Sequence, residues 1–296
     1  MHYTDLHCDT LFELYKKDLT YQNDRLHLRA DFENVFDSHT QVFAVWTQNR
    51  ISDEDAWAQF HAIVNHAKKA DIPPSVNRIL AVEGGALLAK DISRVDTLFQ
   101  MGVRMLTLVW QDHCEIGGAW NTEEGLTDFG FDVVDRCLAL GIHPDLSHAS
   151  DKMFWQVAER LNKANKPILA THSNSRTVCD HRRNLTDEMF LEVVKSEGVA
   201  GISMASIHLA KDGNATLDDV IRHIEHYCHL GGEENVCLGC DFDGISSSPK
   251  EIKTMYDLPL LAERLAKLGY SDCQIEGIFY KNADRFLRQI SKSISV

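Results

Sequence analysis

Five short runs of this sequence end in side chains that bind metal ions or move protons. They are Asp5-Leu6-His7-Cys8-Asp9, Glu83-Gly84-Gly85, Asp145-Leu146-Ser147-His148, Thr171-His172-Ser173 and Asp241-Phe242-Asp243-Gly244. His7 and Asp9 stand two apart, so on an extended strand both project to one face. An imidazole and a carboxylate together are an ordinary zinc donor set. Alone the pair is a weak signal, because a chain with 15 histidines produces such spacings by chance. Glu83 ends an apolar stretch and precedes two glycines, which permit close backbone approach. A carboxylate there is costly to bury unless it is paired or metal-bound. A lone histidine such as His148 or His172 is more often a satisfied core residue. Two on neighbouring segments, beside a Glu and an H-x-D, point to a metal centre. Five donors exceed one tetrahedral zinc and suit two ions that share a bridging carboxylate. His7, Asp9 and Glu83 would hold one ion, and Glu83, His148 and His172 the other. Ions about 3.5–4 Å apart activate a water for hydrolysis at neutral pH.

Such residues need a scaffold that gathers strand ends. Eight strand-like runs recur: Tyr3–Cys8, Gln41–Thr47, Ile79–Val82, Arg104–Val109, Ile142–Leu146, Pro167–Ala170, Val199–Met204 and Asn235–Leu238. Helical spacing of apolar residues fills Glu54–Ala70, Phe131–Leu140, Lys152–Lys163, Asp187–Ser196 and Leu217–Leu230. Asp257–Leu268, Asp272–Phe279 and Asn282–Gln289 give a helical C-terminal end. Asp151 and Thr186 read as N-caps, and Gly141, Gly198 and Gly231 as helix stops. Eight strand–helix units predict an α/β fold closed into a (β/α)8 TIM barrel, with a doubly wound open sheet as the alternative. In such a barrel the active site lies at the C-terminal ends of the strands, where all five runs fall. No linker or low-complexity tract divides residues 1–296, so one domain is expected.

Bulk composition narrows the function classes. The net charge is −14, against a nucleic-acid partner, which needs a basic surface, and against an anionic membrane surface. No apolar run is long enough for a membrane span. The N-terminus has neither a basic region nor an apolar run, so a cytoplasmic location and free thiols are expected for the eight cysteines. Cys237 and Cys240 form a C-x-x-C, but residues three apart on a strand face opposite ways, so two core thiols are expected there. His223, His226 and His229 share one side of a helix outside the barrel, where a polar helix face is expected rather than a surface metal site.

The same runs, taken together in order and spacing, resemble the membrane dipeptidase (renal dipeptidase) family, peptidase family M19. The family's D-x-H-x-D, E-G-G, D-L-[SA]-H and G-x-D-F-D-G look like Asp5–Asp9, Glu83–Gly85, Asp145–His148 and Gly239–Gly244. Its G-L-[ST]-x-F-G looks like Gly125–Gly130, and its S-H-S…R-R-N looks like Thr171–Ser173 running to Arg182-Arg183-Asn184. The resemblance runs almost end to end. It implies a metallo-dependent hydrolase with two Zn²⁺ per chain on His7, Asp9, Glu83, His148 and His172. It implies a homodimer that cleaves dipeptides, often tolerating a D-residue at the C-terminal side; some members open β-lactams. Arg183 would bind the substrate carboxylate, a match of guanidinium to carboxylate. Asp241 would hold the substrate amino group and move protons. The sequence departs from the family at the end of the fourth strand. The family often has T-L-T-H there; this chain has Thr107-Leu108-Val109-Trp110. The oxyanion role of that histidine would pass to His113 or to the Trp110 indole. Two rival readings stand beside this one. The first is another binuclear barrel hydrolase acting on a lactone, cyclic amide or phosphoester, which Asp9 and Trp110 disfavour. The second is a non-catalytic metal-binding barrel, which the presence of Asp241 and Arg183 disfavours.

Overall fold

All eight expected strands form, and every strand pair is parallel. The computed structural model describes residues 1–47 and 51–292; residues 48–50 and 293–296 of the expected 1–296 domain lie outside them. The strands are β1 (His2–Cys8), β2 (Ser38–Trp46), β3 (Val76–Glu83), β4 (Val103–Thr107), β5 (His143–Asp145), β6 (Leu169–Ala170), β7 (Val199–Ile202) and β8 (Val236–Leu238). Their order is β5-β4-β3-β2-β1-β8-β7-β6. The ring closes between the two outer strands: the Leu146 amide donates to the Leu169 carbonyl at 2.8 Å. The fold is therefore a (β/α)8 barrel, not an open sheet.

Helices cover the outside. They are α1 (Thr10–Lys17), α2 (Asp53–Ala67), α3 (Ser93–Gln100), α4 (Asp128–Leu140), α5 (Asp151–Lys163), α6 (Asp187–Lys195), α7 (Ser206–Leu209), α8 (Leu217–His229), α9 (Leu258–Lys267), α10 (Asp272–Glu276) and α11 (Asn282–Lys292). The short α1, α3 and α7 escaped the sequence pattern because eight residues or fewer give little helical period. Thr186 caps α6 as expected, and Gly141 ends α4 in the left-handed region at φ 87°. Two of the expected cap and stop residues differ. Ser150, not Asp151, caps α5 by accepting from the Met153 amide, because the Asp151 carboxylate turns outward to a bidentate pair with Arg176 at 2.7 and 2.8 Å. Gly198 does not stop α6; Glu197 takes the left-handed turn at φ 58°. Gly198 is needed for another reason: a Cβ there would lie 2.0 Å from the Ile168 carbonyl.

The core has two layers. Leu6, Val42, Ala81, Met105, Leu169, Val199 and Cys237 fill the barrel interior. Helix α11 closes the N-terminal end with Ala283, Phe286, Leu287 and Ile290, spaced i, i+3, i+4 and i+7. That leaves the opposite end open for chemistry. Cys240 joins the outer layer while Cys237 faces inward, so the C-x-x-C pair does not converge. Among the described residues, no helix is long and apolar enough to cross a membrane.

Three histidines outside the metal-donor set are buried as neutral rings. His39 donates to Gln41, His143 to the Pro167 carbonyl and His223 to the Leu209 carbonyl. Burial lowers each to about 4. His223 thus packs inside rather than on a polar helix face, and only His226 and His229 reach the outer side. In the unfolded chain these rings titrate near 6.5. Their neutral burial is fully stabilising above that value and is lost as pH falls from about 6.5 to about 4. Each ring should cost about 2 kcal/mol of stability by pH 5. In His143→Gln, the loss between pH 7 and pH 5, read from denaturant unfolding, should shrink by about that amount. An unchanged loss would show that His143 does not titrate on unfolding.

Candidate metal centre

Two buried aspartates set the site up. Asp5 Oδ1 accepts from the His7 and Cys240 amides at 3.1 and 2.9 Å, and Oδ2 accepts from the Tyr3 hydroxyl at 2.5 Å. It therefore ties the end of β1 to the chain leaving β8. Asp145 does the same between β5 and β6. Its Oδ1 accepts from the Ser147 and Thr171 amides at 3.0 and 2.8 Å, and its Oδ2 from the Thr107 and Thr171 hydroxyls at 2.5 and 2.6 Å. Beyond these ties the backbone bends sharply. His148, Asp241 and Asp243 have φ of 69°, 62° and 67°. Non-glycine residues in that region cost roughly 1–3 kcal/mol each, a cost that clusters at functional sites. Gly244 is forced: a Cβ would stand 1.9 Å from Asp9 Oδ2.

The expected ligands converge. His7 Nε2 lies 3.6 Å from Asp9 Oδ2, 3.6 Å from Glu83 Oε2 and 3.9 Å from Asp241 Oδ1. Glu83 Oε1 lies 2.9 Å from His148 Nε2 and 3.4 Å from His172 Nε2. The two Nε2 atoms are 3.0 Å apart. Donor atoms of His7, Glu83 and His172 group within 4.8 Å of one another, as do those of His7, Asp9 and Asp241. Asp241 thus stands among the donors on the His7 side.

The protonation pattern fits a cation. His148 Nδ1 donates to the Trp110 carbonyl at 2.9 Å, which can only accept. His172 Nδ1 meets Thr171 Oγ1 at 2.8 Å, and that hydroxyl gives its proton to Asp145. Both Nε2 atoms therefore present lone pairs toward a carboxylate oxygen and toward each other. Lone pairs in that arrangement repel unless a cation lies among them. Buried His7 Nε2 and Asp9 Oδ1 have no hydrogen-bond partner. Burial would raise the Glu83 carboxyl, but His7, His148 and His172 hold it well below the usual range. Burial, then the Glu83 charge, push Asp9 well up. Burial would lower the His7 imidazole, but Glu83 and Asp9 hold it well above its usual range. Three imidazoles with two carboxylates are a donor set suited to zinc.

A cavity of about 470 Å³ opens over these residues. Arg183 lines it, buried, with its guanidinium donating to Ser173 Oγ at 2.9 Å and to the His172 carbonyl at 3.0 Å. Asp241 lines it too and accepts from Ser203 Oγ at 3.3 Å. Burial, then the Glu83 charge, raise Asp241 to about 6 against His7 and Arg183. Trp110 forms a wall against Trp46, with ring centroids 5.0 Å apart. His113 is not brought in. After Trp110 the chain turns outward, and the half-exposed His113 ring pairs with Glu124, away from the cavity lining. The oxyanion role offered to His113 has no geometric support, because nothing carries that ring to the metal centre.

The sequence model of the membrane dipeptidase family (peptidase family M19) matches residues 59–295. This chain belongs to that family. The matched stretch begins after His7 and Asp9, whose place in the site rests on their geometry. The chain is 31% identical over 221 residues to an uncharacterized protein in the pqqA 5′ region of Klebsiella pneumoniae, covering 71% of this chain and 80% of that one. It is 28% identical over 224 residues to dipeptidase 3 of Mus musculus, covering 72% of this chain and 44% of the mouse protein. The chain thus spans less than half of that relative. A solved structure of the dipeptidase AC, a metallo peptidase of family M19, superposes with a TM-score of 0.88 at 25% identity, covering 100% of this chain and 99% of that one. Family membership makes this chain a metallo-dipeptidase by class.

Several residues of this family member's site went unread in the sequence. Asp243 accepts from Thr10 Oγ1 at 2.5 Å and from the His27 amide at 2.7 Å, pinning the loop before β2 over the site. Its place beside Asp241 in the Asp-Phe-Asp-Gly run could have flagged it. Ser203 directly follows β7, His181 lies in the long loop after β6, and His208 lies on the short α7. They carried no signal, since single serines and histidines are common in loops.

Proposed function

We propose that this protein hydrolyses the peptide bond of dipeptides, using two zinc ions held by His7, Asp9, Glu83, His148 and His172, with Glu83 shared between them. One observation carries the reading: two lone-pair imidazoles converge on one carboxylate, and buried Arg183 lines the adjoining cavity of about 470 Å³. Bound there, the ions supply a hydroxide nucleophile and a Lewis acid for the carbonyl. Arg183 anchors the substrate carboxylate, its guanidinium already oriented by Ser173 and the His172 carbonyl. Asp241 pairs with the substrate ammonium and passes a proton toward the leaving amine. Two anchors of opposite charge in one small cavity select a substrate with both termini free. Phe12, Trp46 and Trp110 exclude water and strengthen those charges.

The deciding experiment assays L,L and L,D dipeptides with metal-depleted and zinc-restored protein. Chelation should abolish hydrolysis, and two zinc equivalents per chain should restore it. Zinc-restored protein that spared dipeptides but opened lactones, cyclic amides or phosphoesters would replace this reading with the other barrel hydrolases. Full activity without metal would overturn it.

A further inference from the structure

The cavity lining carries both basic and acidic groups. Arg183, His181 and His208 lie together and are basic, whereas Asp9, Glu83, Asp241 and Asp243 are acidic. His181 Nδ1 accepts from the Arg183 amide at 3.1 Å, so its proton sits on Nε2 as a donor. Its ring lies 5.1 Å from Trp120 and 4.8 Å from His208. Among the described residues, no protein group hydrogen-bonds either ring nitrogen of His208. Burial comes first in lowering its pKa well below the usual value, and the groups that act on it next are Arg183, His181, His148 and His223. Two adjacent imidazoles whose outward N–H groups have no protein partner among the described residues, set beside a guanidinium in a cavity wall, favour an anion. One α-carboxylate on Arg183 leaves the donors of His181 and His208 unused.

We propose that His181 and His208 form a second anion subsite beside Arg183, which selects dipeptides whose C-terminal residue carries an acidic side chain. This rests on the dipeptidase reading for the placement of the substrate α-carboxylate. In this subsite the side-chain carboxylate of a C-terminal Asp or Glu accepts from His181 Nε2 and from His208. Trp120 holds the His181 ring from behind. A neutral C-terminal residue leaves both donors facing water.

Two measurements test this. The first is the ratio of kcat/KM for Ala-Glu and Ala-Asp to that for Ala-Ala. The second is calorimetric affinity for free glutamate against free alanine. Wild type should favour the acidic partner by about tenfold or more in both, the usual weight of one or two charge-assisted hydrogen bonds. His208→Leu and His181→Phe should each bring that ratio down about tenfold. His208→Gln, which keeps an N–H donor, should recover part of it. A wild-type ratio at or below one in both measurements would overturn the subsite, as would variants that weaken acidic and neutral partners by the same factor. If no dipeptide is cut yet glutamate outbinds alanine through these histidines, the subsite stands and the dipeptidase reading falls.

Discussion

Glu83→Gln is expected to lower kcat by at least about a thousandfold, the scale of the several kcal/mol that a metal-borne nucleophile and Lewis acid supply. Bound zinc should fall from two per chain to one or fewer. The reason is the reach of one side chain. Oε1 stands 2.9 and 3.4 Å from the His148 and His172 nitrogens, while Oε2 stands 3.6 Å from His7. Among the described residues, no other carboxylate lies near both donor pairs. Glutamine keeps the shape but offers one neutral oxygen and one N–H group. The N–H would then face either His7 or the two lone-pair imidazoles, and that half of the site loses its anion. Metal content by elemental analysis and turnover of a dipeptide measure the two effects separately. An active variant with its full metal complement would remove Glu83 from the bridging role. A thermal unfolding scan of the metal-free proteins separates loss of ligand from loss of fold.

Much of this site was legible in the sequence because strand ends in a closed barrel are constrained. His7 and Asp9 share one chain segment and Glu83, His148 and His172 lie on three others, yet each stands at or just past the end of a strand. Once eight strands are counted, closure brings their ends together, and the donor types then identify a metal centre. Residues whose role depends on how a loop turns were not legible in this way. His113 lies three positions beyond Trp110, but Asp112 takes a left-handed turn at φ 62° and directs the following ring toward Glu124. Asp5 and Asp145 were visible only as letters in a motif. Their work is to accept backbone amides across strand boundaries, and no spacing rule reports that. Helix ends show the same limit. Ser150 and Asp151 are both good caps, and the choice between them was made by Arg176, which lies 25 residues away. The bottom of the barrel was readable as a helix over 282–289, but not as a plug, because which open end a terminal helix covers depends on the whole ring.

Asp241→Asn should separate proton transfer from metal binding. The carboxylate sits at the end of β8 on a left-handed backbone, with one oxygen on Ser203 and the other 3.9 Å from His7 Nε2. Asparagine fills the same space and still accepts from Ser203, so the backbone turn has little reason to change. What it loses is the charge that pairs with a substrate ammonium and the basicity that moves a proton. A positioned general acid–base contributes about a hundredfold to ten-thousandfold, so kcat should fall within that range. KM should rise as well, because the ammonium loses its partner. Zinc content is the discriminating number. If Asp241 acts on the substrate, the variant keeps both ions while losing turnover, unlike Glu83→Gln. The grouping of Asp241 with His7 and Asp9 allows the contrary result, in which zinc is lost in step with activity. That outcome would move Asp241 from proton carrier to ligand, and the proton for the leaving amine would then have to come from another group lining the cavity.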